Sequence, residues 1–255
     1  MLKIIVVAFL LVYSFFIVVV RAVDFEIVNN ATEAISVGVL GNADKEALEN
    51  GGFVLEAGAT KTITAAEDWA GKFWARTWCD AKTNHCLTGD CGDKLECQGD
   101  EGAAPATLAE ITLKGDGGLD TYDISLVNGF NVAVAFEPVD GSGDGGDYSC
   151  KKATCSYNFN KQCPDALKLN SEHGVIGCKS ACVALDTDQY CCRGEYGTSD
   201  TCIVSEWPVD YASYFKAHCH DAYSYTYDHN NTFTCKAQKY IVTFGVDVVD
   251  DRIML

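Results

Sequence analysis

The 255-residue sequence predicts a mainly β protein: a flattened β-sandwich core carrying a disulfide-rich lobe and a small disulfide loop domain. Three observations predict it. Short alternating apolar–polar runs, separated by Asn/Gly turns, recur early, in the middle and at the end of the chain. Fourteen cysteines, an even number, concentrate in residues 79–97 and 150–235. An apolar N-terminal run directs the chain to a compartment where such cysteines oxidise.

That N-terminal run extends from Ile4 to Val20 behind Lys3, and Val20 and Ala22 stand at the −3 and −1 positions of a cleavage site before Val23. Residues 1–22 therefore read as a secretory signal peptide, leaving 233 residues and a secreted, extracellular product. A membrane anchor is the rival reading of 17 apolar residues, but no stop-transfer charges follow. Residues 23–75 contain no cysteine and alternate as strands at Phe25–Val28, Ile35–Leu40 and Thr60–Thr64. Residues 79–97 hold four cysteines in a stretch too short for its own core. The core is assigned residues 23–78, 98–149 and 236–255, with 150–235 as the lobe. Within the lobe, short helices are expected around Cys163–Leu167 and Tyr211–Lys216, and Tyr240–Val246 reads as the closing strand.

Composition narrows the partners. The formal charge is −17, and losing Lys3 and Arg21 with the leader takes it to −19. Such a surface does not hold nucleic acid or anionic membrane by general electrostatics. Neutral polysaccharide and basic protein remain as partner classes, and the chain is expected to act as a monomer without membrane insertion. The cysteine spacings give no pair of Cys-x-x-Cys knuckles, so disulfides are preferred to zinc, and no metal or cofactor is expected. The run Asp140–Asp147 lacks the register and terminal glutamate of an EF-hand and reads as a solvated linker. Sequons at Asn30 and Asn230 mark candidate glycosylation sites.

The chemically informative stretch is Thr107–Val127, two alternating runs around an Asp-Gly turn. With Asp116 and Gly117 as the turn residues, Glu110 lies directly opposite Asp123 on one face of the hairpin; a one-residue shift of the turn would spoil that opposition. Two facing carboxylates are what glycoside hydrolysis needs: one stays protonated and donates, the other activates water or attacks. In a chain with 36 acids they are also what an acidic patch looks like. The five histidines are scattered and no Gly-x-Ser-x-Gly elbow is present. Tyr223, Tyr225 and Tyr227 at alternate positions would share one face of a strand, for packing or for stacking on sugar rings.

Several separate motifs in order resemble the thaumatin-like family. They are Phe25-Glu-Ile-Val-Asn29, Phe73-Trp-Ala-Arg-Thr77, Cys86-Leu-Thr-Gly-Asp-Cys91, Pro105-Ala-Thr-Leu-Ala-Glu110, Tyr122-Asp-Ile-Ser-Leu-Val127, Gly129-Phe-Asn131, Tyr190-Cys-Cys192, Tyr214-Phe-Lys216 and Ala222-Tyr-Ser-Tyr225. The resemblance implies the pairings Cys79–Cys86, Cys91–Cys97, Cys150–Cys235, Cys155–Cys219, Cys163–Cys178, Cys182–Cys191 and Cys192–Cys202. It also implies host defence, often antifungal, by binding β-1,3-glucan in an acidic cleft between core and lobe, with weak endo-β-1,3-glucanase activity as the alternative. The family's cleft residues map by position to Arg76, Glu110, Asp123, Asn128 and Asp228; Asn128 replaces a usual aspartate. Glu110 would serve as general acid, Asp123 as base or nucleophile, and Arg76 would tune their ionisation. A further family bridge, from the first strand region to the last strand, is absent: the chain reads Asn30-Ala-Thr and Thr243-Phe-Gly245 there. The chain ends are accordingly expected to fray before the lobe does.

Overall fold

The computed structural model describes residues 22–228 and 232–247. Among them fifteen strands follow in chain order: β1 Ala22–Asn29, β2 Ile35–Gly41, β3 Gly52–Leu55, β4 Thr60–Ala66, β5 Ala70–Cys79, β6 Cys86–Thr88, β7 Leu108–Thr112, β8 Asp120–Ser125, β9 Val134–Val139, β10 Ala153–Cys155, β11 Lys168–Ser171, β12 Gly174–Cys178, β13 Ala222–Tyr223, β14 Phe233–Cys235 and β15 Lys239–Phe244. Period-two patterning sends alternate side chains inward: in β1, Val23, Phe25, Ile27 and Asn29 are buried and their neighbours are not. Of the two large sheets, one has the order β10-β9-β15-β1-β4 and the other runs β13-β8-β7-β5-β2-β3, with β14 added on β8 and β6 on β5; β11 and β12 pair as a separate two-stranded sheet.

The two sheets close on a common aromatic core. Tyr240 of β15 meets Tyr122 of β8 edge-on at 5.6 Å, and Phe25 of β1 lies 5.0 Å from Phe73 of β5. Tyr122, Tyr240, Phe25, Phe73 and Phe136 are all fully buried. At the centre of the first sheet β1 and β15 pair in parallel from Asp24↔Lys239 to Asn29↔Phe244, so sequence-distant ends form adjacent strands. The expectation that these ends are loosely held meets a different arrangement. β15 is flanked on both sides, by β1 and β9, and Val242 and Phe244 are fully buried.

All seven expected bridges are present and no free cysteine remains among the described residues. The segment 150–235 is less separate than its cysteine content suggests. Its strands β10, β13 and β14 extend the two core sheets, and Cys150–Cys235 and Cys155–Cys219 clamp those strands in place. The helix around Tyr211 runs Tyr211–His218, capped by Asp210, whose side chain accepts from Ser213 N. Near Cys163 the helix lies instead at Phe159–Gln162, and Asp165–Leu167 forms only a 3₁₀ turn after Pro164. The Asp140–Asp147 segment is an exposed loop, tied to the core where Ser142 and Lys236 exchange backbone hydrogen bonds. Of the sequons, Asn30 is exposed, whereas Asn230 lies outside the described residues, as does nearly all of the 1–22 leader.

Candidate functional site

The β7–β8 ladder places Glu110 directly opposite Asp123, with Ile111↔Tyr122 and Thr112↔Thr121 continuing the same register. The connection is not a two-residue turn. Pairing between the two strands stops at Thr112 and Thr121, and a 3₁₀ turn over Asp116–Gly118 joins them, its base held by Lys114 N donating to Asp120 Oδ1. The loop is symmetric about the Asp116–Gly117 bond, so the longer turn leaves the register unchanged.

β5 lies on the other side of β7 and sets Lys72 opposite Glu110. One row across three strands thus reads Lys72, Glu110, Asp123. Lys72 also pairs with Glu101 at 2.9 Å. These four line a cavity of about 400 Å³ together with Ser125, Asn128, Tyr223 and Thr226. Burial pushes both carboxyl pKa values up. At Glu110 the Lys72 charge and a hydrogen bond from the Ser125 hydroxyl pull back toward the ionised form. Asp123 has no such relief: the Glu110 charge adds to its burial, its pKa stands well above the usual range, and its Oδ1 is buried without a partner. Both carboxyls are therefore biased toward the protonated form, through burial at each and the added Glu110 charge at Asp123.

The other expected members separate. Asn128 lines the same cavity from a turn closed by Gly129 N donating to Leu126 O. Gly129 has φ +93°, and a Cβ there would stand 2.5 Å from Cys178 O, so only glycine fits. Asp228 is buried behind the cavity. Its Oδ2 accepts from Ser224 N and Oγ, both at 2.9 Å, and meets Lys216 Nζ at 2.6 Å. It fixes the turn after β13 rather than lining the opening. That turn also breaks the expected tyrosine face: Tyr223 enters the cavity, while Tyr225 and Tyr227 pack with Trp207 and Tyr190 in the lobe.

Arg76 requires a correction. Its guanidinium is buried at 1 % exposure and turned toward the small disulfide loop. It donates to Lys94 O (2.5 Å), Leu95 O (2.6 Å), Val37 O (3.3 Å) and Cys91 Sγ (3.1 Å). A fork whose two terminal nitrogens are spent on three carbonyls and a sulfur, with Nε left unpartnered, is an anchor for the loop. The cation beside the acid pair is Lys72, four residues earlier on β5. Period-two alternation alone could not select it, because Lys72 and Arg76 share a parity; only the β5–β7 register separates them. Asn131 braces the same region, donating to Ala75 O and Thr88 Oγ1, both at 2.8 Å, and accepting from Thr107 N.

Comparison with known proteins agrees with this architecture. The thaumatin family model matches residues 29–246. Pathogenesis-related protein 5 of Arabidopsis thaliana is 47 % identical over 231 residues, covering 89 % of this chain and 92 % of that one. Thaumatin-like protein 1 of Pyrus pyrifolia is 41 % identical, covering 88 % and 91 %. Among solved structures, a laminaripentaose-producing β-1,3-glucanase in complex with laminaritetraose superposes with TM-score 0.58 at 11 % identity, over 88 % of this chain and 99 % of that one, a likeness of fold. The chain belongs to the thaumatin family.

Proposed function

We propose that the protein is a secreted, antifungal host-defence protein that binds β-1,3-glucan, or a related neutral cell-wall polysaccharide, in the cavity around Glu110 and Asp123. The kinship with a pathogenesis-related protein supports the defence role. Seven bridges fit an oxidising, extracellular setting, and the exposed Asn30 fits glycosylation there.

The observation that carries glucan binding is the opposition of two buried carboxyls in one cavity, where burial biases both toward the protonated form. A protonated Asp123 donates one hydrogen bond and accepts another; an ionised Glu110 accepts; the Asn128 amide does both. Lys72 offsets one of the two negative charges left on Glu110 and Glu101, and Tyr223 adds a ring to the lining. Such a lining suits the vicinal hydroxyls of an uncharged sugar better than an anion. Sedimentation of the mature protein with insoluble β-1,3-glucan is the test, with Asp123→Asn retained and Asp123→Ala depleted from the pellet. A wild-type protein that stays in the supernatant refutes this reading.

Weak endo-β-1,3-glucanase activity is the second reading, favoured by the same opposed pair: one carboxyl of Glu110 and Asp123 would protonate the leaving oxygen, and the other would activate water or attack the anomeric carbon. Reducing-sugar release from laminarin abolished in both Asp123→Asn and Glu110→Gln supports it; release unaffected by either removes it.

A further inference from the structure

A second cavity, of about 510 Å³, shares no lining residue with the first. It lies where the end of β5 meets the lobe. Ile35, Val132 and Ile176 give it apolar, largely buried lining, the exposed Thr32, Glu33 and Ala34 lie toward solvent, and Trp78 completes it.

Trp78 is unlike the chain's other tryptophans. Trp69, Trp74 and Trp207 are 1 %, 1 % and 6 % exposed, whereas Trp78 is 48 % exposed. Its backbone has φ +58°, a region that bulky side chains avoid because Cβ crowds the following carbonyl. The indole is also locked. The His173 ring, on the β11–β12 turn, stacks on it at 4.1 Å with the planes 8° apart. Strand position, strained backbone and imidazole backing together hold one flat ring in one orientation at the edge of a cavity, where its ordering entropy is already lost before any ligand arrives.

We propose that Trp78 is the stacking platform of a carbohydrate site separate from the acid pair, with a neutral hexopyranose as its ligand. A pyranose has one face of C–H groups and a rim of hydroxyls. The C–H face suits the indole and the apolar lining, and the hydroxyls suit Glu33 and Thr32 toward solvent. The charge of the chain and of Glu33 disfavours uronic acids and phosphates. The ring is presented by the end of β5 and backed by His173 of the lobe, so the site exists only in the assembled fold.

Because the other three tryptophans are buried, acrylamide quenching of the mature protein reads Trp78 selectively. Laminarin, cellohexaose and chitohexaose are the probes. At saturation at least one should protect the quenchable fluorescence; titration calorimetry with that probe, in an Asp123→Ala background that silences the first cavity, should give about tenfold weaker binding in Trp78→Ala and near-native binding in Trp78→Phe. Protection must persist in Glu110→Gln, since the two cavities are separate; its loss there would overturn the assignment of an independent site. Absence of protection by all three probes on the wild-type chain also overturns it, and needs no variant to fold. So does quenching already suppressed without probe and released in Asn30→Gln, which would make the platform the seat of the chain's own glycan.

Discussion

Replacing Asp123 by asparagine should stabilise the protein at pH 8 and leave it unchanged at pH 3. Directly opposed residues in an antiparallel ladder hold their Cβ atoms about 4.5–5.5 Å apart, and Glu110 and Asp123 are such a pair. Two unit charges about 5 Å apart at an effective dielectric near 20 repel by about 3 kcal/mol. The protein avoids that cost by keeping a proton, which makes the cost a function of pH. A carboxyl whose folded pKa lies above its unfolded value binds more protons folded than unfolded between the two, so stability falls as pH rises through that window. Both acids are shifted upward, Asp123 the further. The window therefore opens near the ordinary carboxylate value of about 4 and extends upward. Below it both acids are neutral in both states and asparagine is a near-isostere. Above it asparagine removes the repulsion, leaving Glu110 with Lys72 and Ser125. The gain is expected at about 1–3 kcal/mol, Lys72 having offset part of the repulsion in the wild type. Guanidinium denaturation with the disulfides intact, at both pH values, measures it, and taking the difference between variant and wild type cancels the many surface acids. A variant equally stabilised at pH 3 and pH 8, or destabilised at pH 8, would refute the shared proton.

Two further outcomes follow from the arrangement around this pair. Arg76→Met strips partners from the carbonyls of Lys94, Leu95 and Val37 and should cost about 3 kcal/mol or more. Limited proteolysis should then cut first within residues 91–100, and Arg76→Lys should rescue little, because one ammonium cannot reach both carbonyls of the loop as the fork does; an uncut loop in Arg76→Met would show that the two disulfides suffice to hold it. Amide exchange at Val242 and Phe244 should be among the slowest in the chain, as central-strand positions in a fully paired sheet; rapid exchange there would restore the fraying expected from the missing bridge.

The sequence carried the acid pair because everything needed was local. Alternation assigned the faces, and the Asp-Gly turn fixed the centre of symmetry, so Glu110 met Asp123 although the turn is longer than two residues. What it could not carry was anything set by strands distant in the chain. Lys72 reaches Glu110 across the β5–β7 ladder, with the whole small disulfide loop between them in sequence. Arg76 has the same parity and the more conspicuous motif around it, yet its guanidinium is consumed by the loop. The tyrosine face failed for a related reason. A turn anchored by Asp228 interrupts the strand after Tyr223, and that carboxylate's partners, Ser224 and Lys216, are not a pattern that periodicity reports.

The absent bridge shows how packing can take over from a covalent tie. At the end of β1, Asn30 N donates to Phe244 O at 2.8 Å and Asn30 Nδ2 to Gly245 O at 3.0 Å. Behind them Asn29 is fully buried, donating to Glu33 O and Leu55 O, so the turn into β2 is fastened to the same strand end. A Cβ built on Gly245 would lie 2.8 Å from the Cβ of Ala31, and Gly245 has φ +76°. The two positions are thus in contact, and a side chain at 245 would have to push Ala31 away. With glycine there, the backbones close to hydrogen-bonding distance and the ladder runs to its last residue. A disulfide acts chiefly on the unfolded chain, by limiting its freedom. The contacts of Asn29, Asn30 and Gly245 act on the folded state. The trade leaves β1 and β15 paired in the native state while making the unfolded chain freer, so the missing tie should show in global unfolding and refolding rather than in local opening of β15.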